Sequence, residues 1–355
     1  MREILGKGGI CQLEELAKEG FKKCELYFTE RDFEKKPKNN IIDIFSMHEW
    51  KGRIRIDGFC TWANIGDNWI PGDRSERLLR RQIQYAQSND IIRFVFHPGF
   101  VNVFVCNRED ALRTVVRRLK RIYNAIRKKN GGTFEVKLCV ENSEFRPDIT
   151  AYHNERLVVN ADQTVKLLEL ARKEYLPLSV VVDIEHLYVS ALFTPLYNEL
   201  REYYEPISCL STCTQAKQEA NKKAEERLLE YSRSEDCEVQ NQISRFVTDY
   251  FKKLGPWIEA VHVCGSDYKN YGAKKDTTTA GSHLPICYNG YSNGVKVKDR
   301  VDHGEYLRLL DKYVDKQTPL IIEVSGKPNQ SDYLRCVNES RDKLHEILCR
   351  HYKAS

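Results

Sequence analysis

The sequence predicts a (β/α)8 barrel, the TIM-barrel fold, from three observations. The chain has 355 residues, and a barrel of this kind takes about 250 residues, with room for insertions. Apolar, β-branched runs alternate along the chain with amphipathic, charged segments, which is the order that builds parallel α/β folds. The apolar runs are continuous rather than alternating, and this is typical of parallel strands that are buried on both faces.

Seven apolar runs are predicted to be barrel strands, and a weaker run at Arg2–Leu5 can supply the eighth. The seven are Cys24–Phe28, Ile54–Gly58, Ile91–His97, Phe134–Glu141, Leu178–Asp183, Ile258–Cys264 and Leu320–Val324. Eight strands would close a barrel, whereas seven would leave an open, doubly wound sheet as the alternative. The helices expected between the strands are Leu13–Gly20, Glu76–Ser88, Arg108–Asn130, Ala161–Tyr175, Tyr306–Val314 and Ser331–Tyr352.

Two insertions are expected in this single domain of residues 1–355, after strands 6 and 7. The first, 190–256, holds a segment rich in Lys, Glu and Ala at Gln215–Tyr231, which predicts an exposed helix. The second, 266–300, is rich in glycine and serine. A long loop after a barrel strand is typical of a lid or a substrate loop.

Composition and charge narrow the function only slightly. The net charge of +5 is compatible with phosphorylated substrates or nucleic acid but requires neither. No apolar run reaches the roughly 18 residues that span a membrane, and the first residues lack the apolar segment of a signal peptide. We therefore expect a cytoplasmic protein whose twelve cysteines are reduced thiols.

Titratable residues follow the apolar runs at the points where the strands are expected to end. Glu141, Asp183, His262 and Glu323 end four of the runs, and the carboxyl ends of barrel strands meet at one mouth, where active sites are found. A carboxylate directly after four or five apolar residues is partly buried, so it must meet a cation or be neutralised. Three carboxylates and one imidazole suit Mn, Mg, Fe, Co or Zn. The sequence therefore predicts a divalent metal ion at this mouth.

Each of these residues has a structural alternative when it is taken alone. A single Glu or Asp at a strand end is more often a helix N-cap or an ion-pair partner. His97, which ends a further run, can equally be a core histidine. Four such residues in register on successive strands favour the metal site over these alternatives.

Short motifs at these strand ends resemble the xylose-isomerase-like TIM-barrel superfamily, which joins endonuclease IV with sugar and sugar-phosphate isomerases and epimerases. The order of the motifs matches from about residue 8 to residue 325. The matching stretches are Gly8–Ile10, Gly20–Tyr27, Phe96–Gly99, Val140–Asn142, Asp183–His186, His262–Gly265, Gly281–Pro285 and Ile322–Glu323. Each motif is short, so the order and the strand placement carry the resemblance.

The resemblance implies roles for the residues at the matching positions. The four predicted ligands correspond to the metal quartet that the superfamily shares. His186 corresponds to a residue that contacts substrate in epimerases and a further zinc ion in endonuclease IV. His97 and His283 correspond to ligands of the additional zinc ions of endonuclease IV.

The sequence also departs from both subfamilies. Gly58 aligns with a histidine of endonuclease IV, and Gly281 stands where that enzyme has an aspartate, two residues before the histidine matched by His283. Tyr268 stands near the position of an arginine that some epimerases use. The four-ligand site is therefore intact, whereas a complete three-metal cluster is left open.

Two functions are compatible with this site. The intact quartet favours an isomerase or epimerase of a sugar or sugar phosphate, in which Glu141 and Glu323 act as base and acid and His186 orients a hydroxyl. The alternative is an endonuclease IV-like phosphodiester hydrolase that acts on DNA, with His97, His186 and His283 completing a second or third metal site.

Three weaker indications complete the sequence-based interpretation. Tyr268, Lys274 and Lys275 lie in the expected substrate loop and are the better candidates for phosphate contact. Helix Arg108–Asn130 is strongly basic, but barrel helices lie away from the mouth, so its charge is expected on an outer face. Asp183–Ser190 is similar, more faintly, to a motif of multinuclear-iron TIM-barrel enzymes that modify cysteine in peptides. A barrel that only binds its ligand is a further alternative, against which the full quartet argues.

Overall fold

Eight parallel strands pair edge to edge in chain order until the last strand meets the first. In this computed structural model the described residues are 1–37, 41–49, 53–56, 59–62, 72–102, 107–145, 154–204, 214–233, 237–268, 282–292, 295–324 and 331–354. The strands are Ile4–Gly8 (β1), Lys23–Tyr27 (β2), Asp43–His48 (β3), Arg93–Phe96 (β4), Lys137–Glu141 (β5), Leu178–Asp183 (β6), Ile258–Val263 (β7) and Leu320–Ile322 (β8). The closed barrel confirms the predicted (β/α)8 fold and excludes the open sheet.

The register of neighbouring strands brings the predicted site residues to one level of the barrel. Asp183 at the end of β6 lies opposite His262 of β7, and His262 lies opposite Ile321 of β8. Leu5 also pairs with Ile321, and this pairing closes the sheet between β1 and β8. The strand ends therefore share one rim.

Helices surround the barrel, and the amphipathic, charged segments of the sequence form them. They are Leu13–Lys18 (α1), Gly72–Ser88 (α2), Arg108–Lys129 (α3), Ala161–Lys173 (α4), Ile184–Phe193 (α5), Tyr197–Tyr204 (α6), Thr214–Arg233 (α7), Cys237–Leu254 (α8), His303–Tyr313 (α9) and Ser331–Ala354 (α10). Asn107, Asn160 and Asp302 cap α3, α4 and α9, because each side chain accepts a main-chain N–H three residues ahead. None of the helices formed by described residues is both long and apolar enough to cross a membrane.

One predicted barrel strand is wrong. The third strand is Asp43–His48 and not Ile54–Gly58. Residues Arg53–Ile56 instead pair with Phe59–Trp62 in a separate antiparallel ribbon. The segment at 53–58 is richer in β-branched residues, but Asp43–His48 lies between β2 and β4 and completes their hydrogen bonding. Gly58 itself lies outside the described residues.

The segments between the later strands carry additional structure. Helices α6, α7 and α8 lie between β6 and β7, and the ribbon Asn289–Ser292 with Val295–Lys298 lies between β7 and β8. A third ribbon pairs Phe100–Asn102 with Asn154–Arg156, beyond the ends of β4 and β5. These additions all follow the carboxyl ends of strands, where barrel enzymes vary their loops.

Candidate metal centre

The candidate site forms one layer above the apolar interior of the barrel. Six buried strand residues make a small cluster distinct from the larger core of strands and helices: Leu5, Val95, Cys139, Val181, Ala260 and Ile321. Side chains alternate along a strand, so residues two positions apart point to the same face. The residues two positions after these six are Lys7, His97, Glu141, Asp183, His262 and Glu323. The same alternation that fills the barrel therefore directs these polar groups into its mouth.

The predicted quartet comes together at this level. Glu141, Asp183, His262 and Glu323 each offer one ligand atom, and these atoms lie within 4.8 Å of one another. His262 Nδ1 lies 2.7 Å from Glu323 Oε2 and 3.4 Å from Glu141 Oε1. Asp183 and His262 are fully buried. We call this set the central group.

A second set shares Glu141 with the central group and contains a histidine that the sequence did not predict. His48, at the end of β3, places Nε2 2.7 Å from Glu141 Oε2, and His97 Nε2 lies 3.4 Å from the same oxygen. His97 Nδ1 lies 3.1 Å from a carboxylate oxygen of Glu49, which also accepts the main-chain N–H of His97. Glu49 thereby fixes the ring, and Nε2 faces Glu141. We call His48, His97 and Glu141 the His48 group.

A third set shares Asp183 with the central group. Asp183, Glu185, His186 and His283 also offer ligand atoms within 4.8 Å of one another. His283 Nε2 lies 3.3 Å from Asp183 Oδ2. The ring nitrogen Nδ1 of His186 lies 2.8 Å from the main-chain oxygen of Asn142, which leaves Nε2 for another partner. We call this set the His283 group.

His283 is held in place by an unusual backbone. Its φ is +48°, in the left-handed region that non-glycine residues rarely adopt and that often marks functional sites. The next residue, Leu284, forms an isolated bridge with Gly265, two residues beyond the end of β7, through two hydrogen bonds of 2.7 and 2.8 Å. This bridge fixes the segment that carries His283 against the barrel rim.

The carboxylates of the central group keep their charge through their neighbours. Burial alone would raise the pKa of Glu141, but nearby imidazoles, led by that of His97, hold it well below the usual value. Burial alone would also raise the pKa values of Asp183 and Glu323. Nearby imidazoles lower the pKa of Asp183, and Lys7, followed by an imidazole, lowers that of Glu323. Without a metal ion, the cluster is therefore stabilised by positive side chains.

The imidazoles show the reciprocal effect. Burial alone would lower the pKa of His262, but Glu25 and other carboxylates raise it well above the usual value. The pKa of His283 is raised to about 10 because Glu185 and Asp183 outweigh the effect of burial. Protons on these rings occupy the nitrogen atoms that a metal ion would use, so protons and metal ions compete for the site.

Lys7 is a further buried residue of the site that the sequence did not reveal. Its Nζ lies 2.8 Å from Glu323 Oε1 and 3.0 Å from Glu25 Oε1. Glu25 in turn accepts a hydrogen bond of 2.7 Å from Ser46 and lies 3.0 Å from His262 Nε2. Lys7 thus holds one oxygen of Glu323 and leaves the other facing His262.

The chemistry of these side chains fits metal ions. Several buried atoms make no hydrogen bond with the described residues, although they lie close to partners of opposite charge. They are Asp183 Oδ2, both carboxylate oxygens of Glu185, both ring nitrogens of His262 and Glu323 Oε2. Mixed carboxylate and imidazole ligands suit Mn, Fe, Co and Zn. The residues that would hold such ions are those of the three groups.

The remaining predicted site residues are placed differently. Tyr268 is buried, with its ring 5.7 Å from that of Tyr188, whereas Lys274, Lys275 and Gly281 lie outside the described residues.

Part of what the sequence missed carried a detectable signal. His48 ends a strand in the same way as His97, but that strand was assigned to the wrong segment. Glu185 lies between two predicted site residues, Asp183 and His186. Glu25 lies in the matching stretch Gly20–Tyr27, and Lys7 directly precedes the stretch Gly8–Ile10. Only the inward alternation of β1 and β2 distinguishes these two residues.

Comparisons with known proteins bear on the fold. No family model matches the sequence, and no curated protein matches it either. A D-tagatose 3-epimerase-like protein is similar in structure with a TM-score of 0.57 at 14% identity, over 100% of this chain and 99% of that one. A xylose isomerase domain protein from Planctomyces limnophilus gives a TM-score of 0.52 at 10% identity, over 99% and 97%. A D-psicose 3-epimerase from Clostridium cellulolyticum gives 0.51 at 9%, over 98% and 99%. The chain therefore shares the barrel fold of these three proteins.

Proposed function

We propose that the protein is a metal-dependent enzyme that hydrolyses a phosphoester at a multinuclear centre. The observation that carries this proposal is the position of Glu141. Its Oε1 lies near His262 and His186, at 3.4 and 3.6 Å, and its Oε2 lies near His48 and His97, at 2.7 and 3.4 Å. A carboxylate with imidazoles at both oxygens is suited to bridging two ions.

The ions would supply a hydroxide nucleophile at neutral pH and neutralise charge on the phosphoryl oxygens. The chain's own contribution is to hold the ligands in fixed orientations. Glu49 fixes His97, the main-chain oxygen of Asn142 fixes His186, and Lys7 fixes one oxygen of Glu323. Ligands oriented in this way need little reorganisation to bind an ion.

Epimerisation or isomerisation of a sugar or sugar phosphate is the second candidate, and the fold likeness to epimerases favours it. That reaction needs Glu141 and Glu323 free to remove and return a proton. In this structure both oxygens of Glu141 face imidazoles, and Glu323 is paired with Lys7. Those contacts leave less freedom for proton transfer than for metal binding, so hydrolysis is the better-supported function.

The two functions separate in one set of assays. Purified protein is stripped of metal, reloaded with Mn, Zn, Fe or Co, and given bis(p-nitrophenyl) phosphate, DNA with an abasic site, or D-tagatose. We expect phosphoester hydrolysis that falls roughly a hundredfold or more in Glu141→Gln and is retained in Asp162→Asn, an exposed control on α4. Epimerised sugar with no phosphoester hydrolysis under any metal would overturn the proposal.

A further inference from the structure

We infer that Glu185 is a metal ligand and that it completes the His283 group as a separate ion site. This inference rests on the proposal that the centre binds metal. Four residues contribute to the group, and Glu185 is the one for which neither the strand pattern nor the family motifs indicate a function. The site it completes takes a divalent transition-metal ion with two carboxylates and two imidazoles.

The first observation is that Glu185 is buried without the partners that a carboxylate needs. The residue is 0% exposed, and neither of its oxygens has a hydrogen-bond partner among the described residues. Its Oε2 lies 3.4 Å from His283 Nδ1 and 3.7 Å from His186 Nε2. Burial raises the pKa of Glu185, so its buried carboxylate is unfavourable unless it binds a proton or a cation.

The second observation is that Glu185 neither caps helix α5 nor lies on a solvent-exposed face of it. Asp183 caps the helix, because its Oδ1 accepts the main-chain N–H of His186 at 2.9 Å. An acidic residue in the first turn usually points to solvent and interacts with the helix dipole. All ten residues of α5 are buried instead, so the carboxylate of Glu185 is enclosed with the two histidines.

Each of the other three residues is held in place through one of its atoms and presents a second atom to the site. Asp183 uses Oδ1 for the cap, and its Oδ2 has no hydrogen-bond partner. His186 uses Nδ1 for the oxygen of Asn142 and presents Nε2. His283 has Ser282 Oγ 2.8 Å from Nδ1 and presents Nε2 toward Asp183. Together with Glu185, these residues offer ligand atoms that lie within 4.8 Å of one another.

The separations allow an ion after a small contraction. The ligand atoms lie within 4.8 Å of one another. Around an ion whose bonds are about 2.1 Å long, the distance between ligand atoms is roughly 3 to 4 Å. The four ligands all come from described residues, so the group needs no contribution from residues 269–281. A sequence with Gly281 can therefore still hold an ion here.

Metal content tests the inference directly. Wild-type protein, Glu185→Gln and the control Glu199→Gln, whose side chain lies in α6 and pairs with Arg227, are loaded with Zn and dialysed against a graded chelator. We expect Glu185→Gln to lose one ion per chain, or to bind its weakest ion at least about tenfold less tightly, while Glu199→Gln matches wild type. Unchanged content and affinity in Glu185→Gln would overturn the inference.

A second measurement uses only the wild-type protein, so its result does not depend on whether a variant folds. Crystals of the wild-type protein soaked in Zn should show an anomalous scattering peak about 2.0–2.2 Å from a carboxylate oxygen of Glu185. Peaks at the central group with none near Glu185 would sink this inference and leave the proposed function standing. Wild-type protein that binds no metal at all would instead remove the proposed function, and this inference with it.

Discussion

His48 Nε2 lies 2.7 Å from Glu141 Oε2, whereas His262 Nδ1 lies 3.4 Å from the other oxygen of that carboxylate, Oε1. This contact extends the predicted quartet into a larger cluster, because Glu141 then belongs to both the central group and the His48 group, each of which could hold a metal ion. His97 reinforces the arrangement at 3.4 Å from the same oxygen. The end of β3 thus adds a second candidate metal site beside the central group.

Replacing His48 should remove one ion and spare the others. In His48→Gln we expect about one fewer metal ion per chain, because the His48 group loses a ligand while the central group keeps all four of its own. Elemental analysis of the reloaded protein measures this, and His345→Gln on the exposed face of α10 is the control. Equal metal content in wild type and His48→Gln would show that His48 binds no ion.

Lys7 should be essential to the stability of the metal-free protein. Lys7→Met leaves the buried Glu25 and the partly exposed Glu323 without their shared cation, so the free energy of unfolding should fall by about 3–5 kcal/mol. Denaturant unfolding of chelator-treated protein measures the change. The control Lys23→Met breaks the exposed pair with Glu3 and should cost only about 0–1 kcal/mol. Similar losses in the two variants would contradict this account of Lys7.

The stability of the metal-free protein should fall in alkaline solution. The pKa of His283 is raised from 6.5 to about 10 by Glu185 and Asp183, against the effect of burial. The stabilising charge is fully present below the unfolded pKa of 6.5 and is lost as the pH rises toward 10. The free energy of unfolding, measured by denaturant titration between pH 6.5 and 10, should therefore decrease.

His283→Gln provides the control for that pH dependence. The variant lacks the titrating ring, so its stability should vary less over the same range. Metal binding by wild type should show the opposite trend and strengthen with pH, because the ion must displace protons from the rings. If wild type and His283→Gln lost stability in parallel, the titration would belong to other groups.

Much of the fold and the central group followed from the sequence because burial and side-chain alternation act locally. Runs such as Leu178–Asp183 are apolar throughout and then end in a charged residue, so strand and ligand are visible together. The third strand was misassigned because Asp43–His48 is a poorer strand by composition than Ile54–Gly58. Its place in the barrel depends on pairing with β2 and β4, which is a tertiary relationship.

The outer parts of the site could not be predicted from short segments of the sequence, because they depend on contacts between residues that are far apart in the chain. Lys7 and Glu323 are far apart in the chain but only 2.8 Å apart at their charged atoms, because β1 and β8 close the barrel. The histidine at position 48 was hidden by the error in β3. The His283 group needs the bridge between Gly265 and Leu284 to bring its loop to α5.

The most direct test of a shared carboxylate is the metal content of wild type and Glu141→Gln, each reloaded under the same conditions and measured by elemental analysis. The account predicts about three ions per wild-type chain and no more than about one in Glu141→Gln, since Glu141 belongs to both the central and the His48 groups. A single ion per chain in wild type, or a metal content unchanged by Glu141→Gln, would contradict it.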